Sequence, residues 1–435
     1  MGMVSRASVP DKVFVVNEGA FGNNNASLTI LEPNTGQLTQ QAFFSANGYY
    51  LGDIANDAQW INDRLYIVVN NSHKIEVVDP ETHESVQTIQ IQSDQHGGSP
   101  RRIAAVHSQK AYVTNLYGDN VSIIDLDAGI ETGTIELGAG SAPEDIVIAG
   151  TYAFIALSEL GNGNRVAVID TDLDEMVKEI EVGDNPTWMA KAPDGMVWSV
   201  ATGDYGYDEN WQYDPERETF GEIVVIDPDH LEVTDRIFVG GHPGRVHFLD
   251  DQYALIQKNG VRKINLATRT TYEEPWIDRS IYSFGVDQTQ EEPAVYVMIA
   301  PDFASSGSVV QYDRHAVAVD SFQAGVGPSN IAFWRQTNTQ TRAGIEAPLA
   351  FDLRQNYPNP FNPVTTIAFQ IQEPSHVQLE IFDTAGRRIY NKVIGQAEQG
   401  VHTITWDGSS FSSGVYVYKL TANGHSRIKK MMLVK

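Results

Sequence analysis

Residues 111–125, AYVTNLYGDNVSIID, contain two short runs of β-branched and aromatic residues that are joined by a turn. The second run ends at Asp125, and runs of the same kind end in an acidic or amide residue at seven points along the chain. These seven marker residues are Glu32, Asp79, Asp125, Asp170, Asp227, Asn265 and Asp313. Successive markers are 38 to 57 residues apart. A repeat of this length built from short strands is typical of one blade of a β-propeller, so the sequence predicts seven blades.

The ends of the repeat region indicate how the propeller closes. Each marker run follows a second run that is apolar on both faces, as in VFVVN (13–17), because blades stack face to face and bury their middle strands. VFVVN has no innermost strand before it, and the innermost strand in GPSNIAFW (327–334) has no blade after it. We therefore predict that residues 330–334 pair with residues 13–17 and remove the free sheet edges. An extended β-solenoid is the alternative that the repeat length leaves open.

Several repeats also carry a family likeness. AYVTN (111–115) with VSIID (121–125), and the Asp-Pro turns at 79–80 and 227–228, resemble the YVTN (YncE-like) β-propeller family. The resemblance covers about residues 11–335 and implies the fold. It implies little about function, because propellers host many functions.

Composition divides the chain and excludes some partners. A net charge of −26 disfavours nucleic acid and anionic membranes, and the absence of cysteine excludes disulfides and a lipid-anchoring thiol. No apolar stretch is long enough to span a membrane. The segment QTNTQTRAGIEAP (336–348) is predicted to be a linker. The sequence thus predicts an all-β protein, with a seven-bladed propeller at residues 11–335 and a small Ig-like β-sandwich at residues 349–435.

The C-terminal segment carries a second likeness. QNYPNPFNP (355–363), SGVY (413–416) and the basic pair Lys429-Lys430 resemble the type A sorting domain of the type IX secretion system. This resemblance implies handling by the type IX machinery and an extracellular or cell-surface location in a Bacteroidota-like bacterium. The first ten residues, MGMVSRASVP, lack an apolar h-region, so we expect a signal peptide to be absent from this chain. An ordinary Ig-like domain is the alternative, but it does not explain the proline–asparagine run.

A long insertion in blade 5 marks the candidate ligand site. ATGDYGYDENWQYDPERETFGE (201–222) accounts for the 57-residue interval and is rich in aromatic residues. Long loops of rigid aromatics are usually functional. We predict that Tyr205, Tyr207, Trp211 and Tyr213 form one wall of a ligand site. Its other predicted members are Trp188, Arg245, Glu18, Phe21, Tyr49, Tyr50 and Trp276. For Trp188, a plug in the central channel is an equally good interpretation.

Metal binding and catalysis are weakly indicated. The acidic side chains of the insertion offer a Ca²⁺ site as an alternative use of Asp204, Asp208, Glu209 and Asp214. A lactonase-like metal set is conceivable from Glu18, Asp53, Asp145 and Asn330. No spacing picks out a catalytic triad, so we predict no catalytic residues, no required cofactor and no enzymatic activity.

The first blade carries a third likeness. VVNEGAFGNNNASLTILEP (15–33) resembles the surface propellers of gut Bacteroidota that capture cobalamin beside an outer-membrane transporter, the BtuG kind. The resemblance implies a corrinoid ligand and a transporter partner, although those proteins are lipoproteins and this chain has no cysteine. The sequence therefore predicts an extracellular ligand-binding propeller without catalysis. The alternatives are an adhesion or surface-layer propeller that binds proteins, and a lactonase- or lyase-like enzyme.

Overall fold

The computed structural model divides into two compact units, residues 1–335 and 336–435. It describes residues 9–92, 98–208, 210–288, 292–336, 351–353, 356, 358–371, 374–383, 387–422 and 425–435. The predicted linker, residues 336–348, lies outside the described residues except for Gln336. In the described part of the chain, no helix is both long and apolar enough to cross a membrane.

The first unit is built from short strands. Those of blades 1 to 3 are β1 (Lys12–Asn17), β2 (Ser27–Glu32), β3 (Gln37–Thr39), β4 (Ala55–Ile61), β5 (Arg64–Val69), β6 (Lys74–Val78), β7 (Ser85–Gln90), β8 (Pro100–His107), β9 (Lys110–Asn115), β10 (Asn120–Asp125) and β11 (Ile130–Glu136). Those of blades 4 and 5 are β12 (Pro143–Ala149), β13 (Tyr152–Leu157), β14 (Arg165–Asp170), β15 (Glu175–Glu181), β16 (Pro186–Lys191), β17 (Val197–Ala201), β18 (Glu222–Asp227) and β19 (Glu232–Phe238). The remaining strands are β20 (Val246–Phe248), β21 (Tyr253–Gln257), β22 (Val261–Asn265), β23 (Thr270–Thr271), β24 (Ser283–Asp287), β25 (Ala294–Ile299), β26 (Ser306–Tyr312), β27 (Ala318–Val326) and β28 (Pro328–Trp334).

These strands form seven four-stranded antiparallel sheets, so the predicted seven-bladed propeller is confirmed. Six blades use four consecutive strands, from β4–β7 to β24–β27, with the first strand of each set innermost. Blade 1 has the order β28-β1-β2-β3. In it, Val13 pairs with Phe333 and Val16 with Asn330, which is the predicted closure. Among the described residues of this unit, one short helix, α1 (Ala42–Asn47), and two 3₁₀ turns, Asn70–Ser72 and Glu159–Gly161, interrupt the strands.

The cores of the propeller lie between adjacent blades. Strands next to the innermost one, such as β1 and β13, are buried along nearly their whole length. Outer strands such as β15 are exposed except for one residue, Ile180, because only one face meets a neighbouring blade. Burial of the β-branched residues on both faces of a middle strand explains why the apolar runs in the sequence do not alternate.

The second unit is a two-sheet sandwich. Its strands are β29 (Phe351–Leu353), β30 (Val364–Ile371), β31 (Ser375–Phe382), β32 (Arg388–Ala397), β33 (Gly400–Asp407), β34 (Gly414–Ala422) and β35 (His425–Leu433). One sheet has the order β29-β30-β33 and the other β32-β31-β34-β35. Asn356 of the proline–asparagine run is buried: its backbone N–H donates to Tyr418 Oη at 2.9 Å and its Nδ2 donates to Thr365 Oγ1 at 2.9 Å. The run therefore ties the two sheets together. Gln355 and Tyr357 lie outside the described residues.

Candidate functional site

The face of the propeller on which the innermost strands begin is called the mouth face here. Loops that join successive blades open on it, and so do the loops that join the two middle strands of each blade. Loops on a rigid scaffold are the usual location of binding residues. The mouth face therefore includes the blade-5 loop, defined as residues 202–221, between β17 and β18.

A pocket of about 460 Å³ lies on the mouth face beside the blade-5 loop, and we call it the mouth pocket. Polar groups from blades 5 and 6 line it, among them Asn185, Thr187, Gln257 and Lys258. The innermost strands of blades 5, 6 and 7 begin along its edge, so loops from three blades meet there. Its size is in the range of small-molecule sites.

An aromatic stack forms one rim of the mouth pocket. The rings of Tyr205 and His242 are nearly parallel at 20°, with 4.0 Å between their centroids. His242 Nδ1 lies 3.1 Å from the Thr202 carbonyl oxygen, and Nε2 lies 3.2 Å from Glu218 Oε1. Each ring nitrogen therefore faces a hydrogen-bond acceptor, which holds the imidazole in its stacked orientation. Burial raises the pKa of the Tyr205 hydroxyl.

Glu218 joins this stack to the exposed end of the blade-5 loop. Tyr213 Oη donates to Glu218 Oε2 at 2.6 Å, while Oε1 faces His242. The hydrogen bond from Tyr213, followed by that from His242, lowers the pKa of Glu218. The Tyr213 ring lies 5.6 Å from that of Tyr207, which is 6.3 Å from Trp211. The four predicted aromatic residues of the insertion therefore form one connected group.

The blade-5 loop holds these rings through local backbone bonds. Asp208 Oδ1 accepts the N–H groups of Asn210 and Gln212, both at 2.8 Å. Gly203 has a φ of +87°, and a Cβ atom there would lie 2.2 Å from the Thr219 carbonyl oxygen, so only glycine fits. Trp211 is 81% exposed. The loop thus presents a large aromatic surface in a fixed conformation.

The acidic side chains of this loop already have partners. Asp204 Oδ1 accepts the Gly206 N–H at 2.8 Å, and Asp214 Oδ1 accepts the Glu216 N–H at 2.9 Å. Glu209 lies outside the described residues. Within the described ranges, no three His, Cys, Asp or Glu side chains are grouped as they would be around a metal ion. The Ca²⁺ site stays a prediction.

The opening of the central channel is polar. Tyr282 Oη donates to Glu18 Oε2 at 2.5 Å, and Asn56 Nδ2 donates to Glu18 Oε1 at 3.3 Å. Arg101 Nε donates to Glu144 Oε2 at 2.7 Å. Burial, and then the charge of Glu18, raise the pKa of Tyr282. Glu18 of blade 1 is thereby tied to blades 2 and 7.

Deeper in the channel, contacting side chains from all seven blades form what we call the channel plug. They are Asn330, Asp57, Arg102, Asp145, Trp188, Arg245 and Ser283. The guanidinium carbons of Arg102 and Arg245 lie 5.0 and 4.8 Å from the Trp188 ring. Trp188 Nε1 donates to the Val246 carbonyl at 3.1 Å. Of the two interpretations that the sequence allowed for Trp188, this location favours the plug.

The structure therefore separates the predicted site residues. The four aromatics of the insertion lie together. Trp188 and Arg245 lie in the channel, beneath the opening that holds Glu18. Phe21 is 78% exposed on the blade-1 loop.

The other three predicted residues pack elsewhere. The Tyr49 and Tyr50 rings contact Phe43 and Phe44 of α1, at centroid distances of 5.3 and 4.6 Å. Trp276 is half-buried, with Lys263 Nζ 5.0 Å from its ring. These contacts place the three rings in local packing between blade edges.

The lactonase-like set is likewise occupied by protein contacts. Asp53 Oδ2 accepts Gly22 N–H and Asn71 Nδ2, and Asn330 Nδ2 donates to Asp57 Oδ1. Asp145 accepts the backbone N–H groups of Ile146 and Met189. The bonds from Gly22 to Asp53, from Asn330 to Asp57 and from Met189 to Asp145 join neighbouring blades.

Sequence reasoning missed several residues of the mouth pocket. Gln257 ends β21, and Lys258 and Asn259 follow it in the turn KNG (258–260). Glu218, which contacts the rim residue His242, was also missed. The signal was present in the sequence, since KNG directly follows a middle strand and must lie on the mouth face.

Two family models match separate parts of the chain. Residues 11–206 match the domain of unknown function DUF5074, and residues 355–435 match the secretion system C-terminal sorting domain. The second match confirms the predicted sorting domain and marks the protein as secreted or cell-surface, handled by the type IX secretion machinery. No curated protein matches the sequence significantly.

Solved structures agree in fold. A quinoprotein alcohol dehydrogenase-like protein from Bacteroides thetaiotaomicron VPI-5482 superposes with a TM-score of 0.56 at 17% identity, covering 74% of this chain and 78% of that one. Hydrazine synthase of Kuenenia stuttgartiensis gives a TM-score of 0.50 at 19% identity, with coverages of 61% and 85%. At these identities the likeness concerns the propeller fold.

Proposed function

We propose that this protein is an exported, non-catalytic propeller that binds a small-molecule ligand at the mouth pocket and the blade-5 loop. The observation that carries the proposal is the network from Tyr205 through His242 and Glu218 to Tyr213. It holds a rim of aromatic rings in place beside a polar pocket before any ligand arrives. Such preorganisation reduces the entropy lost on binding.

A corrinoid is the ligand class that we propose first. Its ring system is large and flat with many peripheral amides. The mouth pocket offers amide, hydroxyl and ammonium groups from Asn185, Thr187, Gln257 and Lys258, which suit an amide-bearing edge. The Trp211 and Tyr207 rings, 81% and 48% exposed, would cover an apolar face. The blade-1 resemblance to cobalamin-capturing propellers supports the same class and an outer-membrane transporter as partner.

The test is calorimetry with cyanocobalamin on the full chain and on a Tyr207→Ala/Trp211→Ala variant. Truncating a buried aromatic anchor costs about 2 kcal/mol, which corresponds to about thirtyfold in affinity. Tyr272→Ala, which removes a 46% exposed tyrosine beside the outer strand of blade 6, is the control and should bind as the wild type does. Equal affinity of the double variant would remove the blade-5 loop from the site.

Protein binding is the second candidate, favoured by the exposure of Trp211, Phe21 and Phe303, which is 59% exposed. Exposed aromatics are enriched at protein interfaces. If the wild type takes up no cyanocobalamin, the adhesion interpretation replaces the corrinoid. A pull-down of surface proteins that Tyr207→Ala/Trp211→Ala weakens would then support it.

A further inference from the structure

A second cavity lies inside the channel, on the far side of the channel plug from the mouth face, and we call it the lower cavity. Its volume is about 340 Å³, within the range of small-molecule sites. The later residues of the innermost strands line it, from Trp60 in β4 to Phe284 in β24 and Phe333 in β28. Trp188 and Arg245 of the channel plug also border it.

The walls of the lower cavity are largely aromatic, and their rings pack against other rings. Trp60 packs edge-on against Phe14 at 5.4 Å. The His247 ring lies edge-on to Phe284 at 4.9 Å and to Trp188 at 5.7 Å. Each of these rings has a packing partner, so the cavity has a defined shape that suits a flat, rigid molecule.

The charge of the lower cavity is the second observation. Arg245 Nη1 donates to Ser283 Oγ and to the Ser329 carbonyl, at 2.6 and 2.5 Å, which are neutral acceptors. Among the described residues, no carboxylate forms an ion pair with Arg245, whereas Asp287 and Arg335 on the same wall pair with each other at 2.6 Å. The charges of Glu18 and Asp57 act on Arg245 from beyond ion-pair distance, and neither residue lines the cavity. The lining itself therefore carries one positive charge without an ion-pair partner among the described residues. Burial of such a cation is costly, and an anion in the cavity would offset that cost.

An unpartnered polar atom gives a third, independent observation. Trp60 Nε1 is buried and has no hydrogen-bond partner in the part of the chain that the structure describes. An indole N–H can only donate, so it needs an acceptor. Burial, and then the charge of Arg245, lower the pKa of His247 to about 3, so its ring is neutral at neutral pH, and its hydrogen bond goes to the Phe284 backbone.

We propose that the lower cavity binds a small planar aromatic carboxylate, separately from the ligand of the mouth face. The carboxylate lies against Arg245 and accepts the N–H group of Trp60. The ring packs among Trp188, Phe284 and Phe333. This arrangement gives Arg245 an ion-pair partner, satisfies the orphaned indole N–H and fills the aromatic space with matching surface.

The probes are 2-naphthoate and its neutral isostere 2-naphthamide, titrated into the full chain by calorimetry and followed by ligand-detected NMR. We expect 2-naphthoate to bind at least about tenfold more tightly than 2-naphthamide, because only the anion compensates Arg245. Trp60→Phe keeps the ring and removes the donor, and it should weaken 2-naphthoate about tenfold, as the loss of a hydrogen bond to a charged group does. Arg245→Gln should remove the preference for the anion.

Matched controls locate the ligand. Trp198→Phe also removes a buried indole N–H that has no partner among the described residues, but between blades 5 and 6, and it should leave the affinity unchanged. Tyr205→Ala alters only the mouth pocket and should also have no effect on 2-naphthoate. Equal affinities for both probes, no binding of 2-naphthoate, or weakening by Tyr205→Ala but not by Trp60→Phe would overturn the proposal. If Arg245→Gln does not fold, the comparison of Trp60→Phe with Trp198→Phe decides.

Discussion

Asp145 is expected to give the propeller an unusual dependence of stability on pH. Its side chain is buried at the start of β12. The carboxylate accepts Ile146 N–H at 2.9 Å and Met189 N–H of the next blade at 2.8 Å, while Arg102 Nε is 3.9 Å away. Burial outweighs these favourable contacts and raises the pKa of Asp145 from its ordinary 3.8 to about 6. We therefore predict that Asp145→Asn changes the slope of stability against pH.

The sign follows from proton uptake. Between pH 3.8 and about 6 the folded protein keeps the Asp145 proton, whereas the unfolded chain has released it. The folded state binds more protons, so stability falls as pH rises through this window. A raised pKa of about 2 units corresponds to about 3 kcal/mol, present below pH 3.8 and lost above about pH 6. The amide that Asp145→Asn introduces has one acceptor oxygen in place of two and loses a backbone N–H contact, but that cost is independent of pH.

The measurement is the free energy of unfolding in urea from about pH 3.5 to about 7.5, for the wild type and Asp145→Asn. Tryptophan fluorescence reports mainly on the propeller, which holds six of the seven tryptophans. The wild type should lose up to about 3 kcal/mol more than the variant across the window. Asp79→Asn is the control with the opposite sign. Burial of Asp79 is outweighed by backbone N–H groups and Arg64, which lower its pKa, so its contribution is lost as pH falls. Parallel curves for wild type and Asp145→Asn would refute the reasoning.

Two further predictions concern the closure and the blade-5 loop. Deleting residues 327–335 removes β28 and leaves β1 as a free edge, so the variant should unfold or oligomerise; an unchanged melting temperature with monomeric elution in size-exclusion chromatography would contradict the closure. Gly203→Ala places a Cβ atom 2.2 Å from the Thr219 carbonyl oxygen and should therefore expose the blade-5 loop to proteolysis. Gly195→Ala is the control: Gly195 has the same φ of +87°, but a Cβ atom there has no neighbour within 4 Å, so this variant should leave the rate of proteolysis unchanged. Equal proteolysis rates for the two variants would show that Gly203 does not hold the loop.

The strands could be predicted from the sequence because the same packing, with the middle strands buried on both faces, recurs in every repeat. The runs VWSVA and YALIQ coincide with β17 and β21, and VFVVN lies within one residue of β1. Each is a middle strand with both faces buried, and an apolar run of this length is typical of a buried strand because it is too short for a buried helix. The orphan strand at each end then fixed the pairing of β28 with β1.

The contacts within the site could not be read in the same way. Arg102, Trp188 and Arg245 come from blades 3, 5 and 6. Arg102 and Trp188 lie at bulges near the start of their innermost strands, as between Pro186 and Trp188. A bulge changes which side chain faces the channel, and its position is set by the neighbouring strand. The Tyr205–His242 stack likewise joins loops of two blades. Sequence spacing identified these residues but not their partners.

The mouth pocket lies where the spacing of the repeats is least regular, and the lower cavity meets that region at Arg245 and His247. The longest interval between markers, 57 residues, precedes Asp227, and the shortest, 38 residues, follows it. The long interval supplies the blade-5 loop. The short one leaves blade 6 with a three-residue innermost strand, Val246–Phe248. Gly244 and Arg245 still form backbone hydrogen bonds with Gln257 of β21, each at 2.9 Å.

The segment that precedes β20 contributes to both cavities. His242 turns to the mouth pocket and stacks on Tyr205, while Arg245 turns into the channel and borders the lower cavity. In blades 3 and 4 the innermost strands shift register at the matching place, between Pro100 and Ile103 and between Pro143 and Ile146. Seven regular repeats suffice for the fold, so a segment that borders two cavities beside the irregular repeat interval is where binding function is expected.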